Sequence, residues 1–378
     1  MGFVILNSPS DVSWYSIVFD AMVLAFLATA VSAAVRGWRR GRRDYALLLI
    51  VAPFYGMSLE ISGMLTHKSY LQGDFLVMFN FTQWEAFHGS TNVPLYVPLF
   101  YPAFLFFGYK LAETMGIRSN WRRAVAGGAF MGLLDVCYII QGGLRHVVWW
   151  TWRPWEMYQL WQGWPGIDLW WEMTWGALLF WMVLTVTPRV NRWFDDEPLR
   201  TRANRLKAFV AVPAGLVIAL NVVGPVLMIP AATIAKAGGE YWPATAVLAS
   251  GFAAVLLLSP KQPIRRVDRT VATLAAIYGT AFVPMIVGNI IQDGQVRSGA
   301  RPLDPMPDPR VYVPLQIAAL VGILAATTYP RWARRSDRNS GCVGVPTLRS
   351  TPAAEAARGV VTNGTEEQCE PDAATVDS

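Results

Sequence analysis

Residues 124–144 read AVAGGAFMGLLDVCYIIQGGL, with Asp135 as the only charged residue. About 20 mostly apolar residues are what an α-helix needs to cross the hydrocarbon core of a bilayer. In lipid, a helix satisfies every backbone N–H and C=O within the segment itself. The stretch therefore reads as a transmembrane helix, and comparable runs flank it on both sides. Taken in order, they predict spans near 14–35, 45–65, 92–112, 124–144, 167–187, 208–230, 241–259, 270–291 and 311–330. The expected fold class is all-α, a polytopic transmembrane helix bundle of about nine spans. The third span carries Pro94, Pro98 and Pro102. It is expected to kink or enter irregularly, which membrane helices tolerate when neighbours satisfy the freed carbonyls.

The composition agrees. Hydrophobic residues make up 53% of the 378 and charged residues 15%, against roughly 25% charged in soluble domains. Mean hydropathy is +0.32. The formal charge of +6 does not point to nucleic acid, because the basic residues sit between apolar runs and form no continuous patch. If alternate connections are cytoplasmic, one side holds 25 of the 32 Lys and Arg and the other holds 7. That bias predicts an external N-terminus and a cytoplasmic C-terminus in a multi-pass protein of the cell membrane. The opening MGFVILNSPSDVSWYS has no basic n-region and is expected to be a short uncleaved segment. Residues 1–335 read as the membrane domain. From Ser336 the chain turns small, polar and finally acidic, so 336–378 is expected to be a disordered cytoplasmic tail.

Three scattered cysteines give neither a disulfide framework nor metal-ligand spacing. Three histidines, none in an HxxxH arrangement, argue against the histidine-rich membrane di-iron oxygenases. No P-loop, dinucleotide fingerprint or internal repeat is present. The long connection HKSYLQGDFLVMFNFTQWEAFHGSTN holds His67, Asp74, Glu85 and His88, but lacks the spacing of a metal site. No metal and no cofactor are expected. The middle of this connection, DFLVMFNF, is too short to span and is expected to be re-entrant or interfacial.

Ionisable residues at membrane depth are costly and read as functional by default. Four carboxylates qualify: Asp20, Glu60, Asp135 and Glu172. Lys110 is counted with a cytoplasmic connection, so no basic residue within a span is available to pair with any of them. Desolvation disfavours a charged carboxylate, and a neutral carboxylic acid in a dry site is a ready proton donor. The plainer reading is a structural hydrogen-bonding group, strongest for the shallow Asp20 and Glu172. Asp135 and Glu60 are the better candidates by depth. A second feature is aromatic density. Nine of the 17 tryptophans lie within 149–175. An interfacial aromatic belt accounts for several of them. The WWTWRPW and WQGWPG connection suggests in addition an aromatic-walled pocket, since ring faces stabilise cations and pack against apolar chains. In the second half, Asn221, Asn289 and Gln316 are single amides of the kind that join membrane helices.

The order of these features resembles that of a known family. Glu60 is followed by Gly63, His67 and Tyr70, then by the Pro-rich VPLYVPLFYPAFLFFGY, then by Asp135, the WWTW of Trp149 to Trp152, and the Gly163-Trp164-Pro165 turn. The series is similar to that of the integral membrane carotenoid-biosynthesis proteins that include the bisanhydrobacterioruberin-type hydratases. The resemblance covers about residues 45–187, which would make this the active half. Where that family has GVPxxNxxGW, this chain reads GWPGIDLWWE, with Asp168 and Glu172 in place of the amide and the Gly-Trp pair. The resemblance implies an isoprenoid or other apolar lipid as substrate. Asp135, Glu60 and Glu172 would then be catalytic. Tyr70, Trp149, Trp150, Trp152, Trp164 and Trp171 would contact the substrate. A carboxylic acid would protonate a double bond, aromatic rings would stabilise the cation, and water (hydratase) or another double bond (cyclase) would capture it. The alternative is a proton-coupled transporter or lipid-binding membrane protein, with the carboxylates as coupling sites.

Overall fold

The computed structural model describes residues 2–66, 70–144, 147, 149–152, 166–236, 241–262, 267–299 and 309–340. Ten α-helices are found among them: α1 (Trp14–Arg39), α2 (Asp44–Glu60), α3 (Tyr96–Thr114), α4 (Asn120–Gly143), α5 (Gly166–Asp195), the short α6 (Arg202–Leu206), α7 (Val212–Lys236), α8 (Tyr241–Leu258), α9 (Arg269–Gly299) and α10 (Pro309–Ser340). Seven of the helical segments are long and apolar enough to cross a membrane. The chain is thus a polytopic helical membrane protein. Residues 1–336 form one compact unit. The second unit, 337–378, is described only for the last four residues of α10. Residues 336–340 are helical where the tail was expected to begin, and 341–378 lie outside the described residues.

The two predicted spans that miss the length and apolarity test do so for different reasons. The α8 segment has only a short apolar stretch, Pro243–Leu258. The α3 helix carries Lys110 and Glu113, yet it is the inner helix of the bundle: of its 19 residues only Pro98, Leu99 and Glu113 are not buried. It packs against α1, α2 and α4, so protein surrounds it and its surface need not match lipid. Sequence reading had assigned Lys110 to a loop. It is instead 5% exposed inside the helix, with a carboxylate on either side of it.

Proline placement corrects the third span. Pro94 belongs to a strand, and the helix starts at Tyr96. Pro98 then falls in the first turn, where backbone N–H groups have no intrahelical partner to lose. Pro102 alone interrupts the ladder. The extensive packing of α4 on α5 rests on small residues. Gly128 lies so close to the Met173 carbonyl that any Cβ there would collide with it.

The bundle also carries two small antiparallel sheets that periodicity did not reveal. Strand β1 (Val4–Leu6) pairs with β3 (Val77–Phe79), which pairs with β4 (Val93–Pro94). Strand β2 (Tyr70–Gln72) pairs with β5 (Trp150–Trp152) in the register Tyr70↔Trp152 and Gln72↔Trp150. DFLVMFNF is therefore in part a strand. Its centre is β3, held between the N-terminal segment and the entry to α3. Of the three amides singled out in the second half, Asn221 and Asn289 join helices. Asn289 of α9 donates to Gln141 of α4, and Asn221 of α7 donates to Ser58 Oγ of α2 at 3.1 Å.

The opposite end of the bundle, where α1 meets α2 and α3 meets α4, holds a compact ionic network. Lys110 Nζ lies 2.7 Å from Glu113 and 2.6 Å from Asp268. Arg42 pairs with Glu113 and lies 2.6 Å from Asp44. Tyr109 donates to Asp44 at 2.9 Å and Tyr45 to Glu113 at 2.5 Å. Arg43 forks onto Asp195 at 2.9 and 2.7 Å. Burial alone would raise the Asp268 carboxyl. The Lys110 ammonium and the N–H groups of Thr270 and Val271 outweigh that and hold it below the usual carboxylate range.

Candidate active site

Three of the sequence-predicted carboxylates meet. Glu60 ends α2, Asp135 lies on α4, and Glu172 lies in the second turn of α5. All three line one cavity of about 90 Å³. Asp135 is 1% and Glu172 8% exposed. Tyr70 from β2, Trp150 from β5 and Trp171 from α5 share the wall with them. So do Tyr101, Tyr138 and Ile139, which sequence reading did not name. No basic residue lines the cavity among the described residues. Nor do the described residues contain a cluster of three or more groups suited to a metal ion.

The backbone explains how Glu60 comes to face inward. Directly after it, α2 widens into a π-helical turn, Ile61–Thr66. Such turns carry an i→i+5 pattern and rotate the residues that follow relative to a continuous α-helix. One turn earlier, Gly56 has no Cβ, and the Tyr101 ring occupies that space. The close approach lets Tyr101 Oη donate to Glu60 Oε1 at 2.7 Å. Tyr70 Oη donates to the other oxygen, Oε2. Both carboxyl oxygens of Glu60 are therefore acceptors from phenols. That geometry suits a base, a water-holding group or a proton relay rather than the acid that protonates a substrate.

The β2–β5 ladder joins segments about 80 residues apart and brings Tyr70 and Trp150 to one end of the cavity. Neighbouring residues of an extended segment point to opposite sides. Trp150 accordingly faces the cavity, while Trp149 faces the core. Trp149 is fully buried, 4.3 Å from the Phe19 ring and 6.0 Å from Tyr138. It packs behind the wall and is not among the residues that line the cavity. Trp171 faces the cavity and stacks on Trp175 at 4.6 Å. Its neighbour Trp170 turns away and donates to the Leu227 carbonyl of α7 at 2.9 Å.

Asp20 is not part of the cavity lining. It lies on α1 against the backbone of Leu76. The side chain of Trp152, together with Trp164 and His67, lies outside the described residues. Of the two phenols missed, Tyr138 had a signal: it follows Asp135 by three positions and so shares its helix face. Tyr101 had none, because only the crossing of α2 and α3 brings it to Glu60.

A space of 90 Å³ walled by carboxyls and phenols has room and partners for a few water molecules. It can take the end of an apolar chain but not the whole of a long one. Comparison with known proteins finds no family model, no curated protein and no solved structure that matches the chain.

Proposed function

We propose that this protein is an integral membrane enzyme that acts on an isoprenoid lipid by protonating a carbon–carbon double bond. The observation that carries the reading is the convergence of Glu60, Asp135 and Glu172 with phenols and indoles, and no basic side chain among the described residues, on one cavity. The similarity to the carotenoid-biosynthesis hydratases supplies the substrate class. Asp135, the most deeply buried of the three, gives its proton to one alkene carbon. A C–H bond forms and the cation develops on the other carbon, facing the rings of Trp150, Trp171 and Tyr138. In hydration, water adds to the cation and its spare proton passes to Glu60, which returns it to Asp135. In cyclisation, a second double bond adds to the cation, and a carbon next to the new cation gives up a proton to Glu60, which returns it to Asp135. The cavity volume suits one end of a long chain, the remainder lying in the bilayer.

The proposal includes the membrane arrangement. Nine spans, with α3 and α8 added to the seven apolar ones, place the N-terminus outside and the C-terminus in the cytoplasm of a cell-membrane protein. The 25-to-7 distribution of Lys and Arg supports this. Cysteines placed within 188–207 and within 145–166 should label from opposite sides with an impermeant thiol reagent. Labelling of both from one side would overturn the arrangement.

The functional test is a lipid extract from cells with and without the gene, compared by mass. A gain or loss of water on an isoprenoid supports a hydratase, and an isomeric product supports a cyclase. One feature favours the second reading, a proton-coupled transporter: the π turn breaks α2 beside a carboxylate, as discontinuous helices do at transport sites. An unchanged lipid profile with altered solute uptake would decide for it.

A further inference from the structure

A second site lies at the other end of the molecule. Between α1 and α9, which pack together, there is an open groove of about 670 Å³. Arg36 and Arg40 line it from α1, and Arg269 lines it from the first position of α9. Thr29, Ser32 and Thr273 also line it. None of the three arginines has a carboxylate partner among the described residues. This sets them apart from Arg42 and Arg43 close by in the chain, both of which are paired. The nearest acidic residue in sequence, Asp268, is engaged elsewhere. It lies 2.6 Å from Lys110 and caps α9 by accepting from the N–H of Thr270 at 2.8 Å.

Positive-inside bias accounts for arginines at this end of the bundle. It does not account for three that converge from two helices on one groove and lack carboxylates. Guanidinium forks fit phosphate oxygens. The same two helices expose apolar side chains along their outer faces, Leu24, Val31 and Val35 on α1 and Val283 and Val287 on α9. A ligand with a phosphate head and apolar tails matches both features. Basic pockets between membrane helices on the cytoplasmic side are where anionic head groups bind. We propose that the α1–α9 groove binds the phosphate head group of an anionic phospholipid, its acyl chains lying along the apolar faces of α1 and α9. The proposal is independent of the carboxyl cavity.

The test uses the full chain in nanodiscs that contain phosphatidylglycerol and phosphatidylcholine, with retained lipids counted by native mass spectrometry. The wild-type protein should retain phosphatidylglycerol in preference. The triple variant Arg36→Gln, Arg40→Gln, Arg269→Gln should lose that preference, by about fivefold for each arginine. An Arg118→Gln, Arg122→Gln variant, altered at a different basic groove, should keep it. Arg269→Gln alone leaves the α1–α2 connection intact. If the triple variant fails to insert, this single variant decides, with about a fivefold loss expected. Equal retention of the two lipids by the wild type would overturn the proposal, as would an undiminished preference in the variants. Displacement of the lipid by millimolar inorganic phosphate would also overturn it, since the groove would then be a site for free anions.

Discussion

The two ends of the bundle bury the same side-chain types and treat them in opposite ways. At one end Asp44, Glu113 and Asp268 sit among Arg42, Lys110 and the hydroxyls of Tyr45 and Tyr109, so nearly every charge has an opposite within hydrogen-bonding distance. At the other end Glu60, Asp135 and Glu172 face phenols and indoles, with no cation among the described lining residues. Burying a charge without an opposite is expensive, and folding alone has no use for three carboxyls so placed. The paired end bears the marks of a brace between α1, α2, α3 and α9. At the carboxyl end phenols take the place of cations, as where Tyr101 and Tyr70 donate to Glu60. A buried acid in a membrane helix is informative, then, only once its neighbours are known.

Substitutions at the two ends should separate these roles. The largest effect expected is at the carboxyl end. Asp135→Asn keeps shape and hydrogen bonding but has no acid proton to give. It should insert and melt like the wild type while turnover falls at least about a hundredfold, the range of general acid catalysis. Near-normal product formation would remove Asp135 from the mechanism and leave Glu172 as the acid to test. At the braced end, Lys110→Met leaves the half-buried Asp268 without its ammonium partner and leaves Glu113 with Arg42 alone. Detergent melts should show a loss of about 1.5–3 kcal/mol, the contribution of hydrogen bonds to charged groups, while turnover per folded molecule stays near normal. A stability loss from Asp135→Asn equal to that from Lys110→Met would erase the distinction between the ends.

Smaller effects sharpen the comparison. Tyr101→Phe deletes one of the two phenol donors to Glu60. A rate loss of about tenfold is expected, equivalent to about 1.4 kcal/mol in the barrier, with a stability loss no larger than the about 1.5–3 kcal/mol that a hydrogen bond to a charged group contributes. Equal rates for Tyr101→Phe and wild type would mean that Glu60 needs no orientation. The smallest effect concerns pH. Asp268 is held below the ordinary carboxylate range in the folded protein. A depressed folded value means that its contribution is fully present above the unfolded value and is lost as the pH falls through the folded one. Melts of Asp268→Asn and wild type should therefore differ at neutral pH and converge under acid conditions. A gap that persists in acid would show that the Lys110 pair is not its source.

Much of the helical architecture could be read from hydropathy, because lipid imposes a length and an apolarity that a one-dimensional window detects. Each predicted span overlaps a helix, with ends that differ by up to about ten residues, as at the end of α10, and the candidate site was legible as acids where acids are costly. The short strands escaped because three-residue pairings such as Tyr70↔Trp152 join distant segments and leave no period to detect. Lys110 was misplaced because hydropathy treats every helix as facing lipid, whereas α3 faces protein. Tyr101 was invisible for a related reason: its partner Glu60 is 41 positions away, and only the Gly56 contact between α2 and α3 joins them.

By itself, then, the sequence determined a polytopic helical membrane protein with acids at membrane depth, since both properties follow from local composition against a fixed hydrocarbon thickness. Tertiary structure alone decided which acids share a cavity, which are paired with a cation, and which of two adjacent tryptophans, Trp149 or Trp150, faces the site. Those outcomes depend on how helices cross and strands pair, which no local window along the chain contains.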